Sequence, residues 1–202
     1  LNVDGTVDLF ATDCGIPNNS VSSVVEDHEG NVWIGTAGGV AYITPEDVVI
    51  RPTGLERYGD EQAIVVRLYC DTAGRIWLAS SKENGIYYYE GGKFTQYSGI
   101  TAIKNAVVTE IAQDSTGAFW YGISPHYAVR IDEGEQKVFD LGHGKQPGTI
   151  VNSIYQDKNN LIWFGTDAGV CIFHDGKMSY YTQENGLADN NINRIMEDRE
   201  GN

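Results

Sequence analysis

A tryptophan recurring every 43 or 44 residues, an aspartate six positions ahead of each one, and a composition rich in glycine and tyrosine together predict an all-β fold, a β-propeller. The tryptophans are Trp33, Trp77, Trp120 and Trp163, and the aspartates are Asp27, Asp71, Asp114 and Asp157. The expected architecture is four complete four-stranded blades with partial blades at both ends, a fragment of a larger ring. Residues 1–12 are expected to supply the last two strands of a preceding blade. Residues 13–57, 58–98, 99–141 and 142–183 form the blades, and residues 184–202 start a further one.

Each unit opens on a hairpin. Three residues after the aspartate comes Gly30, Gly74 or Gly117, with Asn160 in the fourth copy, and both residue types tolerate a positive φ. An aspartate that can bond the backbone two residues on, followed by such a residue, closes a short turn between two strands. The flanks read as strands: VSSVVED and NVWIGT in the first copy, VNSIYQD and LIWFGT in the last. A third strand follows in each copy (GVAYI, GIYYY, YAVRI, GVCIF), and then a fourth (VVIR, KFTQY, QKVFD, KMSYY). The strands carry apolar residues on both faces, as sheets do when packed front and back, so the units are expected to stack with each tryptophan in a core between blades.

The two ends of the chain repeat one another. Residues 1–31 align without gaps on residues 172–202, so that Gly15 falls on Gly186, Asn19 on Asn190 and Asp27 on Asp198. On this reading the chain opens partway through one blade and closes inside a fifth hairpin turn. It begins at Leu1 with no initiator methionine, so its first residues are not expected to be a natural N-terminus.

Composition excludes several roles. With 28 acidic residues against 14 basic, the formal charge is -14, which repels a phosphate backbone and argues against nucleic acid as a partner. Cys14, Cys70 and Cys171 are too few and too scattered for a disulfide framework, and none forms a CxxC pair. No apolar run approaches the roughly 18 residues that spanning a bilayer requires.

The string GIPNNSVSSVVEDHEGNVWIGTAGGV, echoed by GLADNNINRIMEDREGN at the other end, resembles the two-component regulator propeller repeat. Gly15, Ile16, Pro17, Asn18, Asn19, Val21, Asp27, Gly30, Asn31, Trp33, Gly35 and Thr36 carry the match. The second and third copies depart from it: SSKENG and ISPHYA stand where GTAGG is expected, and the Gly-Leu-Pro loop is missing before each. The resemblance implies a sensor region of bacterial membrane receptors, often hybrid histidine kinases, on the periplasmic or extracytoplasmic side. It also implies an unidentified small-molecule ligand, with an oligosaccharide as one candidate, and a homodimer formed through the intact receptor.

No nucleophile with its base, no metal cluster and no rigid carboxylate pair can be read from the chain, so this segment is expected to be non-catalytic and to need no cofactor. His28, His126, His143 and His174 fall at unrelated phases of the repeat, which disfavours a shared metal. The repeated Asp lacks the acidic partners of a calcium loop. Positions that only hold the fold should recur, whereas ligand contacts need not. Two slots break the repeat. Four residues before the Asp the copies read Ser23, Arg67, Glu110, Ser153 and Arg194, expected to line a central channel or its mouth. In the loop after the Trp strand, Lys82, His126 and Tyr127 replace a plain glycine turn. Arg67, Glu110, Arg194, Lys82, His126 and Tyr127 are therefore the candidate ligand contacts. A passive protein-binding scaffold and a propeller lyase or hydrolase are the alternative functions, although the inner slot offers no histidine for the latter.

Overall fold

The computed structural model describes residues 8–55, 64–83, 85–142 and 150–201. Its regular structure is four antiparallel four-stranded sheets. The first runs β1 (Val21–Glu26), β2 (Val32–Thr36), β3 (Gly39–Ile43) and β4 (Val49–Ile50). The second runs β5 (Val65–Cys70), β6 (Ile76–Ser80), β7 (Ile86–Glu90) and β8 (Lys93–Gln96). The third is β9 (Val107–Gln113), β10 (Phe119–Ser124), β11 (Tyr127–Asp132) and β12 (Glu135–Asp140). The fourth is β13 (Val151–Gln156), β14 (Ile162–Thr166), β15 (Gly169–His174) and β16 (Lys177–Tyr181). In every sheet the strands lie side by side in chain order. These meanders are the four blades of an all-β propeller fold.

Helix is confined, among the described residues, to two 3₁₀ turns, Thr12–Cys14 and Gln183–Asn185. They lie 171 residues apart and share two features. Each ends on a left-handed glycine, Gly15 at φ 104° and Gly186 at φ 106°. Each is tied to the next loop along the chain, by Thr12 N–H on Asn19 Oδ1 and by Gln183 N–H on Asn190 Oδ1. Most of the expected strands of residues 1–12 fall outside the described residues, and residues 8–12 hold no strand. Residues 184–201 hold none either.

The chain divides into two compact units, one of residues 1–78 and 87–95, the other of residues 79–86 and 96–202. Each unit has a core sandwiched between consecutive blades. In the first, Trp33, Val65, Leu68, Ile76, Leu78 and Phe94 pack together, and in the second Trp120, Val151, Ile162, Phe164 and Cys171 do. Burial of these side chains is the dominant favourable term, on the order of 1.5–3 kcal/mol for each large one.

Blade-to-blade approach depends on the glycine two residues after the tryptophan. A Cβ on Gly35 would sit 2.6 Å from Val65 Cγ1, one on Gly122 would sit 2.8 Å from Val151 Cβ, and one on Gly165 would sit 2.9 Å from Ile192 Cγ2. The missing side chain is what lets the next inner strand lie against the Trp strand. In the second blade Ala79, fully buried, takes this place.

Candidate functional site

The repeated aspartate organises each hairpin, and it does so identically four times. Oδ1 accepts the N–H groups two and four residues on: Glu29 and Asn31, Ala73 and Arg75, Thr116 and Ala118, Asn159 and Leu161, all at 2.9–3.1 Å. Oδ2 accepts the indole N–H of the tryptophan six residues on, at 2.7, 2.8, 2.9 and 2.9 Å for Trp33, Trp77, Trp120 and Trp163. Gly30, Gly74, Gly117 and Asn160 occupy the left-handed corner at φ 82°, 82°, 90° and 64°. Burial works to raise the pKa of each carboxyl, but hydrogen bonds from the indole, the turn amides and neighbouring side chains outweigh it. All four lie below the ordinary carboxylate value. These acids are structural groups whose acceptor capacity is already used.

Trp33, Trp77 and Trp120 are buried, as the repeat predicts, whereas Trp163 is only half-buried. Trp33 packs on Tyr89 and Phe94 of the next blade, and Trp120 on Phe164 and Phe173. No strand comes after β16 among the described residues to cover Trp163 in the same way.

The slot four residues before the aspartate has a structural use that the sequence did not show. Ser23 and Ser153 are buried, and their hydroxyls accept the N–H of Leu68 at 3.0 Å and of Ile195 at 3.1 Å, across to the next segment of the repeat. The residue just before them is skipped in the strand register, a β-bulge at Ser22, Thr109 and Asn152. Each bulged side chain donates forward, to the carbonyl of Val65, Val151 and Ile192 at 2.5, 2.8 and 3.1 Å. Two adjacent side chains thus stitch one blade to the next copy of the repeat.

Arg67, Glu110 and Arg194 stand in the serine position of this stitch. Arg67 is half-buried on β5 in the first unit. Glu110 is 4% exposed on β9 in the second, and its Oε1 accepts the N–H of Ile111 at 3.1 Å. Arg194 is exposed beyond β16.

The irregular loops differ in construction from the plain ones. In the first and fourth blades Thr36 and Thr166 each donate to a glycine carbonyl across the turn and accept an N–H inside it. Ser80 takes the threonine's place in the second blade and accepts the N–H of Lys82, which is half-buried. In the third blade β10 and β11 are joined through Pro125 and His126 alone. There His126 Nε2 lies 3.7 Å from Asp140 Oδ1, and its ring lies 4.3 Å from that of Tyr127. The Nδ1 of His126 is buried with no hydrogen-bond partner. The loop thus brings His126 and Tyr127 together.

Among the described residues no group of three or more His, Cys, Asp or Glu side chains could hold a metal, and no helix is long and apolar enough to cross a membrane. Burial pushes the Cys171 thiol up to about 12, which leaves it unreactive at neutral pH.

Comparison with known proteins agrees with this geometry. The structure superposes on the extracellular domain of a protein described as a hybrid two component system from B. thetaiotaomicron, with a TM-score of 0.79, 24% identity, and coverage of 96% of this chain and 27% of the other. A second such domain from the same organism gives 0.73 and 20%, covering 91% and 25%. Virginiamycin B lyase from Staphylococcus aureus gives 0.69 and 18%, covering 90% and 61%. At these identities the likeness establishes the propeller fold. The chain spans about a quarter of the length of the receptor domains it matches. No curated protein sequence matches it. The family model described as Two component regulator propeller matches residues 15–38 and 145–168, the segments that carry the Asp turn and the Trp strand of the first and fourth blades. At these two segments the chain carries the two component regulator propeller repeat.

Proposed function

We propose that the chain is a segment of the extracytoplasmic sensor propeller of a bacterial receptor of the two-component, hybrid histidine kinase kind, a ligand-binding module that performs no chemistry. The observation that carries this reading is the Gly15-to-Thr36 string, matched by the family model and folded into the turn, bulge and Trp strand that the other blades repeat. The likeness to receptor extracellular domains supports it. A lyase would need a histidine or an acidic pair gathered at the inner slot, and that slot holds Ser, Arg and a single Glu but no histidine.

The same reading extends to the ring. Ile192 and Ile195 lie on Gly165 as Val65 and Leu68 lie on Gly35, which supports taking residues 184–202 as the start of another blade and the chain as part of a larger ring. Arg67, Glu110, Arg194, Lys82, His126 and Tyr127 are the proposed ligand contacts, because they bring hydrogen-bonding groups where the repeat is otherwise uniform. Calorimetry and thermal shift of the protein against oligosaccharides and other small solutes test this, with Arg67→Ala and Tyr127→Ala alongside. A ligand whose affinity falls in these variants is expected. Binding indifferent to both removes the site, and turnover of any bound compound removes the sensor reading.

A further inference from the structure

An aliphatic pair, three residues apart, recurs at the inner strand of every copy: Val21 and Val24, Val65 and Leu68, Val108 and Ile111, Val151 and Ile154, Ile192 and Ile195. From the second copy onward none of these residues is exposed. Val65, Leu68, Val108, Ile111 and Val151 are buried, and Ile154, Ile192 and Ile195 are half-buried. Val65 and Leu68 lie on Gly35, and Ile192 and Ile195 lie on Gly165. Val21 and Val24 of β1 break the pattern, at 51% and 59% exposed. The opposite half of the interface is open as well. Trp163 and Ile172, paired across the ladder, are both half-buried, whereas Trp33 and Trp120 are packed on aromatic rings of the next blade.

One chain thus presents both halves of the contact that its own blades repeat. We infer that the β1 face of one copy docks on the Trp163 face of a second copy of this chain, head to tail, by exchange of two equivalent segments. A partner for Val21 and Val24 must offer a glycine-bearing Trp strand, and β14 of a second copy offers one whose surrounding groups already fit. Residues 192–197 leave that strand and β1 takes their place. Val21 and Val24 stand where Ile192 and Ile195 lie on Gly165. The Val24 N–H stands where Ile195 N–H donates to Ser153 Oγ at 3.1 Å. Glu26, exposed in the single copy, stands where Glu197 accepts Lys158 N–H at 3.0 Å and faces its Nζ at 3.4 Å.

The second segment moves the other way. On the first blade Ile16 packs with Ile34, Ala41 and Ile43, and Arg51 Nε donates to Gly15 O at 2.7 Å. The Gln183–Asn185 turn with Gly186 and Leu187 repeats the Thr12–Cys14 turn with Gly15 and Ile16, down to the left-handed glycine, and takes its place. Each contact given up is re-formed by its equivalent, so the exchange itself is nearly neutral. Burial of Val21, Val24 and Trp163 is the gain that drives association. The contact is heterologous, so every docked copy keeps a free face and association extends past two copies.

Sedimentation equilibrium of the full chain tests this. Its average mass is expected to rise from one copy to two or more between about 1 and 300 µM. Val24→Asp charges the β1 face and Ile172→Asp the Trp163 face, and each alone is expected to weaken association about tenfold or more. An equimolar mixture of the two variants is expected to form dimers that grow no further, because each retains the face the other has lost. Should Ile172→Asp lower the melting temperature, Lys158→Glu replaces it, since that side chain is exposed and its charge would face Glu26 of the docked copy. A chain that stays a single copy at the highest concentration, association that survives Val24→Asp, or a mixture of folded variants that does not pair would overturn the inference.

Discussion

At the scale of single residues, the Asp and Trp of each copy act as a pair. The carboxylate closes the hairpin with one oxygen and holds the indole N–H with the other, so a buried polar group on a large apolar ring is satisfied without solvent. Trp120→Ala is expected to cost about 3–5 kcal/mol in denaturant unfolding, because its site is enclosed by Phe139, Phe164 and Phe173. Trp163→Ala should cost clearly less, since that indole is half-buried. Equal losses would refute this account of the core. The pairing also predicts a pH dependence. The Asp71 pKa is lowered in the fold, so its contribution is complete above the unfolded value near ~3.9 and is lost as pH falls through the lower folded value. The stability gap between the wild type and Asp71→Asn should therefore shrink as pH drops below about 4. A gap that stays constant down to the acid transition would show that the charge is not what matters.

At the scale of elements, two features decide how blades meet: the glycine after the tryptophan and the bulged residue on the inner strand. Gly122→Ala places a methyl against the fully buried Val151, and is expected to destabilise by roughly 1–3 kcal/mol through overpacking. Gly134→Asn is the comparison, because a Cβ there meets nothing within 4 Å and only the strain of a side chain at a φ of 89° remains. That change should cost less than Gly122→Ala, about 1 kcal/mol. If the two variants melt alike, close blade approach is not what the glycine provides. The glycine is visible in the sequence as part of a repeated string, but its reason is not. The bulge is invisible there, since Ser22, Thr109 and Asn152 share little chemistry beyond a donor and only the register exposes them. The serine slot beside the bulge reads in the sequence as a channel lining. At Ser23 and Ser153 the structure gives it a different task, accepting a backbone N–H across the blade interface.

For the whole molecule, the formal charge of -14 opposes compaction through self-repulsion, and added salt screens it. The melting temperature is expected to rise by several degrees between about 10 mM and 150 mM sodium chloride, where the Debye length shortens from roughly 30 Å to 8 Å. A fall over that range would mean that specific surface ion pairs outweigh the net repulsion.

The sequence by itself determined the all-β class, the four meanders, the Asp turn with its left-handed corner and the strand that carries each tryptophan. These rest on local rules: turn chemistry acts over a few residues, and a 43-residue period makes one reading confirm itself four times. Only the tertiary structure decided which neighbours each side chain meets. It showed that Ser23 serves the next blade, that Glu110 is buried while Arg194 is exposed, and that Trp163 is only half-buried where Trp33 and Trp120 are enclosed. Each of these depends on a partner some forty residues away, and packing against a distant neighbour leaves no periodic mark along the chain.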